Sequence, residues 1–142
     1  FIDIGAGAEA SSMSFMAAAN KVLIVLTGEP TSFIDAYSLI KVAFLDYKMD
    51  NFGVIINMAA SAIQAKLNFD KFQSITQRFL DINLNFIGHV PSSMRIKNSI
   101  ISRSPIVSNN KNSEEARAFN NLSTNLLTLN SNRTDGIKFF DN

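Results

Sequence analysis

The chain has 142 residues, 46% of them hydrophobic, with a formal net charge of +1 and no cysteine. That length suits one domain or a piece of one, and the apolar content is ample for a core. The near-neutral charge argues against a broad nucleic-acid surface, and the missing thiols exclude disulfides, thiolate metal sites and cysteine nucleophiles.

The chain begins without Met, on what reads as the middle of a strand, so the expectation is a piece of a longer protein. Residues 1–4 (Phe-Ile-Asp-Ile) read as that strand, with Asp3 near its carboxyl end. Small residues follow, including Gly5 and Gly7, which let a backbone approach a ligand closely. Residues 9–19 predict a short helix with Met13, Met16 and Ala17 as its core stripe. Residues 21–26 hold a β-branched and aliphatic run of strand length, of the kind buried on both faces of a parallel sheet. Thr27-Gly28-Glu29-Pro30 stops it. Thr31 and Ser32 are placed to cap a helix over 32–48, and Asp35 to meet its free N–H groups. Phe33, Tyr37, Ile40 and Phe44 step along one face of that helix.

Residues 52–57 (Phe-Gly-Val-Ile-Ile-Asn) read as a buried strand ending in Asn57. A helical stretch covers 60–67 and 70–83, broken near Asn68, with Phe72, Ile75, Phe79 and Ile82 marking its buried face. Residues 85–90 predict the next strand, which Pro91 ends. Helix follows over 92–104, then a short apolar stub at Ile106-Val107. A last amphipathic helix spans 114–129, with Ala118, Leu122, Leu126 and Leu129 in line. Residues 131–142 form a polar tail containing Ile137, Phe139 and Phe140. Alternating strands and helices with buried-type strands imply an α/β fold, a mostly parallel sheet with helices on both faces. Asp3, Glu29, Asn57 and Pro91 would line one edge of that sheet, where ligands bind in such folds.

The inventory narrows the chemistry. One histidine, His89, and no Gly-x-Ser-x-Gly elbow leave nucleophilic catalysis little support, and His89 reads as a structural or edge residue. A hard cation held by oxygen would need Asp3 or another carboxylate at the sheet edge. Phe-Ile-Asp-Ile-Gly-Ala-Gly has the form of a Walker B element, in which an aspartate ending a buried strand holds Mg²⁺ beside nucleotide phosphates. Many α/β strands end in Asp, so a structural aspartate stands beside that reading. No Gly-x-x-x-x-Gly-Lys-Ser/Thr loop occurs anywhere in the chain.

Three blocks together resemble a known family: residues 1–7, residues 27–41 (TGEPTSFIDAYSLIK) and residues 88–107 (GHVPSSMRIKNSIISRSPIV). They look like the second half of a MinD/ParA-type deviant-Walker P-loop ATPase, in particular the flagellar number-control branch known as FlhG, FleN or YlxH. The resemblance implies that residues 1–130 are the C-terminal part of a MinD-like ATPase domain without its P-loop half. Residues 131–142 would be a tail or the start of a truncated amphipathic membrane helix. It also implies ATP and Mg²⁺ as cofactors of the parent, ATP-driven dimerisation, slow hydrolysis and control of flagellar number or placement. Asp3 would be the catalytic Walker B aspartate, holding Mg²⁺ through water. Gly5 and Gly7 would sit by the phosphates, Asn57 would read the adenine edge, and Pro91 would begin the loop packed against the base. Glu29, Thr31, Ser32 and Asp35 would lie near the dimer and partner surface.

The partners implied are a second copy, a flagellar signal-recognition-type GTPase, basal-body proteins and, peripherally, the inner face of a bacterial membrane; the location implied is cytoplasmic. Chromosome or plasmid partitioning, Min-type septum placement and a nucleotide-free interaction module are the alternative functions. The family's P-loop lysine and its water-orienting aspartate are absent from this sequence, so the chain alone is expected to be inactive. Self-association is expected as well, because a sheet edge and apolar helix faces would be left open.

Overall fold

The computed structural model describes residues 1–5, 7, 9–109 and 111–129. In chain order these form α1 (Ala10–Ala18), β1 (Leu23–Leu26), α2 (Pro30–Tyr47), β2 (Asn51–Ala59), α3 (Ala62–Thr76), β3 (Asn83–Pro91), α4 (Met94–Ile101), α5 (Ile106–Asn109) and α6 (Glu114–Thr128). The tail, residues 131–142, lies outside the described residues.

The three strands form one parallel sheet in the order β1-β2-β3. Their apolar character follows from their place between two helix layers. On one face, Met13 and Met16 of α1, Ala36 and Ile40 of α2, and Phe69 and Phe72 of α3 pack on Ile24, Leu26, Phe52, Val54 and Ile56. On the other, Leu122 of α6 and Leu129 join Ile55 and Ile87. Lys21 ties this second layer down by donating to the carbonyls of Leu126 and Leu127 at 3.0 and 3.2 Å, where the carbonyl end of α6 attracts a cation. The fold is thus the three-layer α/β architecture expected from the alternating pattern.

Several expectations change. Residues 1–4 are not a strand: Phe1 and Ile2 are exposed, and no described strand pairs with these residues in a ladder. A strand exists only through a hydrogen-bonding neighbour, which hydrophobicity does not supply. β1 is not buried on both faces, because it pairs with β2 alone among the described strands and Val25 is 59% exposed.

α2 starts earlier than the Ser/Thr pair suggested. Pro30 takes its first turn, where a missing N–H costs nothing, and Ser32 accepts from the backbone N–H of Thr27 at 3.0 Å instead of capping. Asp35 then falls beyond the first turn. α3 runs unbroken through Asn68, whose Oδ1 accepts from Gln64 Nε2 at 3.1 Å on the exposed side. α3 ends at Thr76, before Phe79 and Ile82, so those two residues do not continue its stripe.

Two irregularities in the β2–β3 ladder position the sheet's carboxyl edge. The partners run Val54↔Phe86 and then Ile55↔Gly88, leaving Ile87 as an extra residue on β3. They run next Ile56↔His89 and then Ala59↔Pro91, so β2 holds two residues against one. The second bulge restores the register that the first displaced.

Candidate functional site

The carboxyl ends of β2 and β3 build one half of the candidate site. In the second bulge, Asn57 and Met58 leave the ladder, and Met58 takes a left-handed backbone at φ 55° while staying exposed. A methionine in that region is strained. The Asn57 side chain supports the bend, its Oδ1 accepting from the Met58 N–H at 2.9 Å. The amide is therefore oriented by backbone at the sheet edge. Pro91 is the last residue of β3 and sits opposite Ala59, and Ser92 N–H donates to the Ala59 carbonyl at 2.9 Å. The fold thus brings Asn57 and Pro91 together on adjacent strand ends.

From there the chain turns into α4. Ser93 caps that helix, its Oγ accepting from Arg95 N–H at 3.1 Å. The same hydroxyl donates to Glu115 Oε1 at 2.5 Å. Glu115 stands in the first turn of α6 and is only 7% exposed. Its Oε2 is buried without a hydrogen-bond donor and lies 3.7 Å from the exposed Arg95 guanidinium.

The Ser93 hydroxyl holds the Glu115 carboxyl below its ordinary value of 4.5; its own backbone N–H, Arg95 and Ser113 help, and burial opposes them. Because the folded value lies below the unfolded one, the stability this group contributes is complete above about pH 4.5 and is lost as pH falls through the folded value. Urea midpoints of wild type and Glu115→Gln are expected to differ at neutral pH and to converge as the pH falls below 4.5 and through the lowered folded value. Parallel curves at every pH would contradict the shift.

Asp3, Gly5 and Gly7 lie elsewhere, around an open cavity of about 840 Å³ against β1, which Val25, Ser32 and Asp35 also line. Asp3 is exposed there. Gly7 has φ +126°, a conformation closed to most side chains. No described hydrogen bond joins this group to Asn57 and Pro91. Among the described residues there is no cluster of three or more carboxylate, histidine or cysteine side chains that could hold a metal ion. Two carboxylates, Asp3 and Asp35, line this open cavity, a set that suits a cation keeping its water shell and not one caged by protein. His89 is half-buried in β3 opposite Ile56, in keeping with a structural residue. Glu29, read as lying by the partner surface, precedes α2 and caps it with no side-chain bond.

Sequence reading missed Ser93 and Glu115. A Ser-Glu-Glu run opening a helix signals a cap and a dipole partner; nothing in it signals a bond to a serine 22 residues earlier. Among the described residues, no helix is long and apolar enough to cross a membrane.

Comparison with known proteins places this geometry. The chain is 39% identical over 99 residues to the antiactivator FleN of Pseudomonas aeruginosa, covering 70% of this chain and 35% of that protein. It is 27% identical over 103 residues to the flagellum site-determining protein YlxH of Helicobacter pylori, covering 72% of this chain and 34% of that one. The chain therefore spans about a third of the length of these curated relatives. No family model matches it. Among solved structures, the MinD cell division protein of Aquifex aeolicus superposes with a TM-score of 0.62 at 22% identity, over 79% of this chain and 45% of that one. The cell division ATPase MinD of Pyrococcus furiosus gives 0.65 at 20%, over 88% and 49%. The fold is that of MinD, and the sequence is similar to FleN and YlxH.

Proposed function

We propose that this chain is the C-terminal part of a MinD-like switch ATPase that regulates flagellar number or placement, and that it supplies the base-side edge and the Mg²⁺-facing aspartate of that site. The observation that carries the reading is the oriented Asn57 amide beside Pro91, at the carboxyl edge of a MinD-type sheet, in a chain 39% identical to FleN. An amide offers a donor and an acceptor side by side, the pairing that an adenine edge requires. In this reading Asp3 faces Mg²⁺ through water, and Gly5 and Gly7 leave room for phosphates. When bound, Mg²⁺ supplies charge neutralisation at those phosphates. The phosphate-cradling loop must come from polypeptide outside this chain. ATP would favour a homodimer and peripheral membrane contact, and slow hydrolysis would reset both. A flagellar signal-recognition-type GTPase and basal-body proteins would be the partners.

Calorimetry with ATP and Mg²⁺ tests this on the chain and on a version extended upstream by the portion its relatives have. Only the extended protein is expected to bind. Asp3→Ala in that protein is expected to lower Mg²⁺-dependent hydrolysis by about 10–100-fold, as loss of a group acting on a metal through water does. If the extended protein neither binds nor hydrolyses ATP, the ATPase reading fails and an interaction module takes its place.

A further inference from the structure

The turn that leaves β3 is held from two sides. The Ser92 N–H ties it to Ala59, two residues past Asn57. The Ser93 hydroxyl ties it to Glu115, on a helix that packs against the opposite face of the sheet from α1, α2 and α3. That second tie is unusual in its cost. Glu115 is a buried acid with one oxygen that no donor reaches, and burial of a carboxylate in such a state is unfavourable unless its hydrogen bonds are good. A helix N-terminus needs no such residue: Ser113 already caps α6 by accepting from Ala116 N–H at 3.1 Å, and Glu114 already places a carboxylate in the first turn. Glu115 also takes its own backbone N–H, but its bond to Ser93 is the one that reaches outside α6. What it adds is a fixed distance between the start of α6 and the Ser93 turn.

We propose that Glu115 is a positioning residue for purine binding: through the Ser93 hydroxyl it sets where the turn after Pro91 stands against Asn57. The proposal rests on the reading of that edge as the adenine site. α4 gives the turn little other support, since none of its residues is buried. Arg95, largely exposed beside Glu115, offers a screened ion pair and cannot replace the hydroxyl bond. The turn therefore keeps its place through two links, one to β2 and one to α6. A base packed on Pro91 feels the second; a phosphate chain bound elsewhere does not.

The experiment compares two ligands on the full-length protein: ATP, and inorganic tripolyphosphate, which has no base. Glu115→Ala and Ser93→Ala are each expected to weaken ATP about 5–10-fold and to leave tripolyphosphate within about twofold, less than the full worth of a charge-assisted hydrogen bond because this one acts on the base only through the turn. The double variant is expected to lose no more than the weaker single variant, since both changes cut one link. Glu115→Gln keeps an acceptor for the Ser93 hydroxyl and is expected to retain most of the ATP affinity. Unchanged tripolyphosphate binding shows at the same time that the variants are folded. The proposal is overturned if ATP and tripolyphosphate weaken in parallel, if the two single losses add, or if ATP binding does not change. Wild-type protein that binds ATP no better than tripolyphosphate overturns the adenine-site reading itself, and this inference with it.

Discussion

Gly88→Ala is expected to lower stability by about 2–6 kcal/mol, summing backbone strain of roughly 1–3 kcal/mol and overpacking of similar size. Gly88 holds φ +143° at the first bulge of the β2–β3 ladder, a conformation that side chains other than hydrogen rarely adopt. A methyl group there would also stand 2.8 Å from Leu122 Cδ2, where α6 lies on the sheet. The two causes separate experimentally. In a Leu122→Ala background the crowding is gone and the strain remains, so the double variant should lose less than the sum of the singles. Gly53 provides the contrast. A methyl group there meets Leu23 Cδ2 at 2.6 Å, Ile87 Cγ1 at 2.9 Å and Leu129 Cδ2 at 3.0 Å, but its backbone is ordinary. Gly53→Ala should therefore cost only the crowding, about 1–3 kcal/mol, and less if those side-chain ends turn aside. Urea midpoints read all four proteins; additive losses for Gly88 and Leu122 would refute the crowding half of the argument.

The Gly88 bulge also shows where sequence reading stops. The three internal apolar runs became strands because a run of that length and composition has few other ways to bury itself. The offset between β2 and β3 is different. It depends on which residue opposes which, a property of two strands together, and nothing in residues 83–91 alone announces it. The same limit explains residues 1–4, apolar enough for a strand and yet paired in a ladder with none of the described strands. Of the candidate site, the positions of Asn57 and Pro91 near strand ends are legible because strand ends define an edge, and the structure sets them on adjacent strands. Met58, bent to φ 55°, and the tie from Ser93 to Glu115 are not, since both arise from how distant segments meet.

Phe72 and Phe79 turn that limit into a measurement. Their spacing of seven puts both on one helical stripe, and by sequence both belong to the core. In the structure Phe72 is 1% exposed and Phe79 is 71% exposed. The buried face of α3 is Ala65, Phe69, Phe72 and Thr76, after which the helix ends and Phe79 falls in the following turn. Phe72 packs on Phe33 of α2, ring centroids 5.4 Å apart, and holds two helices against the sheet. The exposed Phe79 ring stands edge-on to Tyr37, centroids 6.4 Å apart.

Phe72→Ala is expected to cost about 3–5 kcal/mol, from lost burial, a cavity that packed helices close only in part, and the ring pair. Phe79→Ala is expected to cost no more than about 1 kcal/mol, since it leaves no cavity. Against a total stability of about 5–15 kcal/mol, the first change takes about a fifth or more and the second is close to silent. Equal urea midpoints for the two variants would mean that α3 continues past Thr76 in solution. A large gap would place the end of α3 at Thr76, and with it the start of β3, on which the register of Pro91 against Ala59 depends.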